Sequence, residues 1–413
     1  MKSAAAAFDP EISQCAGFKL VFLRLKSRDP TLAGIRFPPH FRNGLRQTHQ
    51  YSGTTKIEQK IRISAGRYLA TYTDTSGFQS KVIVEIKRPT GNYQDYKTGC
   101  EKIASLLAMS PKPEHLRAPH CLGLIFDQCD SDFSLDRPLS FIFRHPVSYH
   151  KHLVPSSLAG LLTPGPKHLR KPGLGTRFSL AFSLATSVLL LQACELHHKS
   201  LEPRNILFFS ERDGTINLKE PRLFGFDHAG PHGLEFTSSP TGLQRPSKRA
   251  RVIPPPCREA MIAHVHQMAT QGEEEYQFHV HPVCPQNSSA SGSPQRYLKR
   301  FDIYSLGVML YEIAVWKNLL SIELVESAVA ANFPDVKRAH VRDALLGSLQ
   351  QMAPDMGHIY TSVIARCLTG DIENGGAPTR PVRVPLSNEY ESDEILQGSF
   401  KRNIVDQLAL CKA

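Results

Sequence analysis

The stretch His198-Lys-Ser-Leu-Glu-Pro-Arg-Asn-Ile-Leu207 lies between a long uncharged run and a short β-rich segment. Ahead of it, Phe178 to Cys194 carries no charge, yet includes Ser179, Ser183, Thr186, Ser187 and Gln192 and runs straight into Glu195. A bilayer span needs about 20 mainly apolar residues, so this composition predicts a buried helix, over Arg177–His198. Behind the stretch, β-branched and aromatic residues predict short strands at Asn205–Phe209 and near Ile216–Phe226. A second strong helix is predicted over Asp302–Lys317, and helical periodicity returns in the C-terminal third, closing in a helix around Ile404–Leu410.

The N-terminal side has a different character. Arg67–Thr73 (RYLATYT) and Lys81–Lys87 (KVIVEIK) read as strands joined through Ser76-Gly77. Asp95–Met109 reads as a helix with Cys100, Ile103, Ala104, Leu106 and Leu107 on its apolar side, and Cys121–Asp127 and Leu139–Arg144 read as further strands. Pro10, Pro30, Pro38 and Pro39 break up residues 1–55, expected to be an irregular extension. Residues 230–275 are rich in Pro, Ser, Gly and basic side chains and are expected to form a flexible insertion. The expected class is α+β, with a small β-rich part over 56–146 and a mainly helical part over 147–413.

Composition narrows the classes further. With 41% hydrophobic and 21% charged residues, the chain is globular rather than disordered. The nine cysteines are odd in number and scattered without a CxxC, which fits free thiols in a reducing compartment. The N-terminus lacks the apolar core of a secretory signal, so an intracellular location, cytoplasmic or nuclear, is expected, with no membrane partner. A formal net charge of +11 raises non-specific affinity for anionic surfaces. Arg245-Pro-Ser-Lys-Arg-Ala-Arg-Val252 has the form of a nuclear import signal or of a solvated basic loop. His264, His266, His279, His281 and Cys284 are soft ligands, but their spacing is less regular than that of zinc sites, and no metal site is assigned.

Phosphoryl transfer to a hydroxyl needs a lysine on the phosphates, a carboxylate to hold it, magnesium ligands and a base. Lys87 closes V-E-I-K, Glu101 follows in the predicted helix, and the loop reads H-K-S-L-E-P-R-N-I-L. Leu223–Ala229 reads L-F-G-F-D-H-A, and Asp302 opens D-I-Y-S-L-G. In this order the motifs resemble those of the protein kinase superfamily: V-A-I-K, H-R-D-L-K-P-x-N-I-L, D-F-G and D-x-W-S-x-G. The wording is closest to fungal kinase-like domains of the type associated with HeLo and prion-inhibition proteins. The resemblance covers roughly residues 56–410. It implies a bilobal fold, a nucleotide site at Lys87, Glu101, Asn205 and Asp227, and structural roles for His198, Phe226 and Asp302, the last bracing the loop backbone.

The departures fall on the chemistry. Ser200 stands where the resemblance puts the catalytic aspartate, and general-base catalysis is worth roughly 10²–10⁴ in rate. Glu202 replaces the loop lysine, Gly225 the main magnesium ligand, and Lys199 an arginine. Asp227 lies two residues late, a displacement of about 3.3 Å per residue along an extended strand. Residues 57–70 hold only Gly66 where a phosphate-covering loop wants three glycines. The resemblance therefore implies a pseudokinase serving as a regulatory or scaffold module for a protein partner, with ATP and magnesium bound weakly or not at all. The enzyme-class alternative is an atypical ATP-dependent Ser/Thr kinase using Asp227, Asn205, Lys87 and Glu101. A basic nuclear nucleic-acid-associated protein is a third reading, disfavoured because no stacking-aromatic motif accompanies the charge.

Overall fold

The computed structural model describes residues 19, 49–50, 56–73, 77–88, 93–110, 112–126, 138–146, 149–165, 169–231, 277–284, 297–325, 334–374 and 393–412. The architecture is mixed α+β, a sheet in the N-terminal part followed by helices. The sheet contains β1 (His49–Gln50), β2 (Lys56–Ser64), β3 (Arg67–Thr73), β4 (Gln79–Lys87), β5 (Cys121–Phe126) and β6 (Leu139–Arg144), in the order β1-β5-β6-β4-β3-β2. All pairings are antiparallel except β1 with β5. The basic run 245–252, His264 and His266 lie outside the described residues, as does most of 1–55; His49–Gln50 of that extension forms the short edge strand.

Side chains alternate across a strand with period two, and the sheet divides accordingly. Leu69, Ile83, Phe141 and Phe143 belong to the main core, whereas Ala70, Val82, Val84 and Ile142 form a small separate cluster. Arg67, Glu85 and Lys87 are odd-numbered on β3 and β4, so they share the face of Leu69 and Ile83, turned toward the main core. The register places Arg67 directly opposite Glu85. Against this face packs α1 (Tyr93–Leu107), burying Tyr96, Cys100, Ile103, Ala104, Leu106 and Leu107.

The helical part begins with the short α2 (Leu158–Leu162), capped by the Ser157 side chain, which accepts from Gly160 N. Next comes α3 (Leu174–Ala193), long and apolar enough to cross a membrane by length and composition. It buries Phe178, Leu180, Leu184, Val188 and Leu191 in the main core and packs on α4 (Lys299–Val315). The expected helix over 177–198 thus starts three residues earlier and stops at Ala193. Glu195 turns into positive φ (58°), and β7 (Leu196–His197) pairs with Gly230–Pro231 instead of continuing the helix. Likewise α4 ends at Trp316, in the left-handed region at φ 57°, whose indole Nε1 donates to Leu169 O at 2.8 Å. Then α5 (Pro334–Met356) and α6 (His358–Thr369) pack beside α4, and α7 (Asp393–Phe400) leads through a π turn into α8 (Asp406–Leu410).

Candidate functional site

Two loops converge below the charged face of the sheet. Ile206–Phe208 and Arg222–Leu223 pair antiparallel, Leu207 opposite Arg222 and Ile206 opposite Leu223, so the residues flanking them are neighbours. Phe224 N donates to Asn205 O at 2.8 Å, which brings Gly225 onto the Asn205 side chain. The backbone of 198–199 is held from α4: Asp302 accepts from His198 N at 2.8 Å, Lys199 N at 3.0 Å and the Tyr297 hydroxyl at 2.9 Å. That grip matters because Lys199 sits at φ 64°, a conformation that costs a non-glycine residue roughly 1–2 kcal/mol. His198 is buried against the Phe226 ring, centroids 4.6 Å apart. Burial holds its imidazole down at about 4, the Asp227 charge only partly offsetting this, so it is neutral near pH 7.

The ionic contacts around Lys87 differ from those expected. Its Nζ lies 2.8 Å from Asp227 Oδ1 and 3.0 Å from Glu85 Oε1. Glu101, the carboxylate expected to hold it, lies one α1 face away, 39% exposed on its side chain and 3.9 Å from Lys97. Glu85 takes the place beside Lys87 because residues i and i+2 of a strand share a face. Arg67 adds a second cation: Nη2 donates to Glu85 Oε1 at 2.7 Å and Asn205 Oδ1 at 2.9 Å, and Nη1 to Arg204 O at 2.8 Å. The Asn205 amide is completed by donation to Ser200 O at 2.8 Å and Glu202 Oε1 at 3.3 Å. Glu202 in turn pairs with Arg204 at 2.9 Å.

Burial pushes the Glu85 and Asp227 carboxyls up, but the facing cations outweigh it: Arg67 and Lys87 on Glu85, Lys87 foremost on Asp227. Both therefore lie below their ordinary values of 4.5 and 3.8. A depressed carboxyl stabilises the fold fully above its unfolded value, and that contribution is lost as pH falls through the folded one. Asp302, which burial pushes up against its hydrogen bonds, contributes in the opposite sense. Stability should therefore fall as pH drops from about 5 to 3, and Glu85→Gln should flatten that fall. Chemical denaturation followed on Trp316, the chain's single tryptophan, measures it; an identical slope in the variant would contradict the assignment.

These side chains line a cavity of about 210 Å³, together with Ser64, Ala65 and Gly66 from the sheet side and Ser200 from the loop. Ligand pockets usually run about 300–1,000 Å³. Its charged lining is three cations (Arg67, Lys87, Arg204) and three carboxylates (Glu85, Glu202, Asp227), so no net field draws in an anion. The upper edge is a two-residue turn between β2 and β3, not a loop. Gly66 sits there at φ 68°, its carbonyl accepts from Ile86 N at 2.7 Å, and a Cβ would fall 2.9 Å from Ile86 O. A divalent cation would need oxygens from Asn205, Glu85 or Asp227 at about 2.0–2.6 Å. Each of those groups already contacts a side-chain cation.

Among the described residues no group of three or more His, Cys, Asp and Glu side chains forms a metal site. His279 Nε2 pairs with Glu312 Oε2 at 3.0 Å, both fully buried, while His281 Nδ1 accepts from Val283 N at 3.1 Å. Sequence reasoning missed Arg67 and Glu85. The available signal was the Glu at the second position of V-E-I-K, where V-A-I-K carries a small apolar residue. No protein-family model matches this chain, and no curated protein matches it.

Proposed function

We propose that this chain is a bilobal kinase-like domain without phosphotransfer activity, a pseudokinase that serves as a regulatory or scaffold module by binding a protein partner. The observation that carries this reading is the occupation of the cleft by the chain's own cations. Asn205, Asp227 and Lys87 come together in the cleft, as the motif order implies for a kinase. Asn205 Oδ1, however, is taken by Arg67, and Lys87 lies in ion-pair contact with both Glu85 and Asp227. Ser200 supplies no carboxylate to accept a substrate proton, and Gly225 supplies no metal ligand. A magnesium–nucleotide complex fits poorly: a metal on Asn205 or Glu85 would have to displace the Arg67 guanidinium, one on Asp227 would have to displace the Lys87 ammonium, and the phosphates would share the cleft with Glu202. What remains is a folded surface for a protein partner.

One observation favours the enzyme-class reading: Asp227 is ionised, buried and in contact with Lys87. In that reading it would serve as the metal carboxylate of an atypical Ser/Thr kinase. Thermal unfolding of the full chain with ATP, with and without magnesium, separates the two. The expected result is no shift in either condition. A magnesium-dependent rise that disappears in Lys87→Ala, together with transfer of labelled phosphate, would establish the kinase instead.

A further inference from the structure

Arg67 is the only side chain of the site that reaches across from the sheet to the backbone of the 200–205 loop in the contacts described above. Its guanidinium meets Glu85 on β4, the Asn205 amide and the Arg204 carbonyl, and lies 5.3 Å from the centre of the Phe224 ring. Three segments distant in sequence thus converge on one planar cation, itself 4% exposed. A planar fork with donors on both arms is suited to this task, whereas an ammonium acts as a point charge. The oxygens it gathers, one carboxylate, one carboxamide and one backbone carbonyl, are of the type a hard divalent ion would gather. The group holding them is covalently part of the chain and cannot dissociate.

We infer that Arg67 is a resident cation that pins the 200–205 loop to the sheet, fixing the two sides of the cleft against each other through the chain's own side chains. A partner then meets one fixed arrangement of the sheet and the loop. This goes beyond the functional reading above and rests on the contacts of Arg67 alone. It would hold equally if the chain transferred phosphate.

Amide hydrogen exchange on the full chain, nucleotide-free and with a chelator present, tests it. Losing hydrogen bonds from a charged donor should speed exchange across residues 200–206 and 224–227 by about ten- to a hundredfold in Arg67→Ala. Arg67→Lys keeps the charge without the fork and should show a smaller acceleration at the same amides. In both variants the amides of α4 between 303 and 313 should exchange as in the parent. Unchanged exchange at 200–206 would overturn the inference. So would an equal acceleration in α4, or failure of both variants to fold, since either would make Arg67 ordinary core structure. A magnesium–ATP thermal shift would instead strike the functional reading and leave this one standing.

Discussion

Gly225→Asp, which writes an aspartate into the position that the motif resemblance gives to a metal ligand, should destabilise the chain by about 3–4 kcal/mol and confer no phosphotransfer. Gly225 sits at φ 84°, in the left-handed region. A non-glycine residue there costs roughly 1–2 kcal/mol before any contact is considered. The contacts are severe. A Cβ would lie 2.4, 2.5 and 2.8 Å from Nδ2, Cγ and Oδ1 of Asn205. A flexible side chain could swing aside, but this amide is held by Arg67, Ser200 O and Glu202 together. Moving it strands the guanidinium and leaves buried polar groups unpaired, each worth about 1–3 kcal/mol. Urea denaturation of Gly225→Ala and Gly225→Asp measures the loss. Alanine should carry most of it, because the collision is at Cβ. A loss below about 1 kcal/mol in both would mean that Asn205 repacks freely. Adding Ser200→Asp should still not yield transfer, since the cations in the cleft remain.

Asp302→Ala should be at least as damaging, about 3–5 kcal/mol by the same measurement. The carboxylate is 2% exposed and serves three donors: the His198 and Lys199 amides and the Tyr297 hydroxyl. Alanine leaves two backbone N–H groups buried without acceptors and removes what holds Lys199 at positive φ. Asp302→Asn keeps one acceptor oxygen and should lose roughly half as much. The effect should spread from the 198–199 backbone to Asn205 and Arg67, so exchange at 200–206 should rise as well. A variant as stable as the parent would show that another group holds the loop.

Much of the frame is legible along the chain. Arg67–Thr73 and Leu139–Arg144 are strands with the expected bounds, and α1, α3 and α4 arise where the apolar patterning places them. These readings succeed because strand and helix periodicity are local properties. Errors collect at the ends. The α3 helix stops at Ala193 because Leu196–His197 finds a strand partner beyond position 229, a contact no local window contains. The nine-residue β2 strand was not expected at all: its Ile57, Ile61 and Ile63 are interleaved with exposed charge on a sheet edge, and it exists by pairing with β3.

The site divides in the same way. The departures from the kinase motifs at Ser200, Glu202 and Gly225 are matters of residue identity and are readable position by position. What fills the space they leave is not. Lys87 lies beside Glu85 and Asp227 rather than Glu101, and Asn205 faces Arg67 across 138 positions of sequence. Ionic partners in a buried cleft are chosen by geometry among all charges that reach it. Which charges reach it depends on strand register, on the hairpin placing Arg67 opposite Glu85, and on two loops meeting beneath them. Residue types can show where the motif pattern is broken; the chain's own cations in the cleft become visible only once the sheet and the loops are folded together.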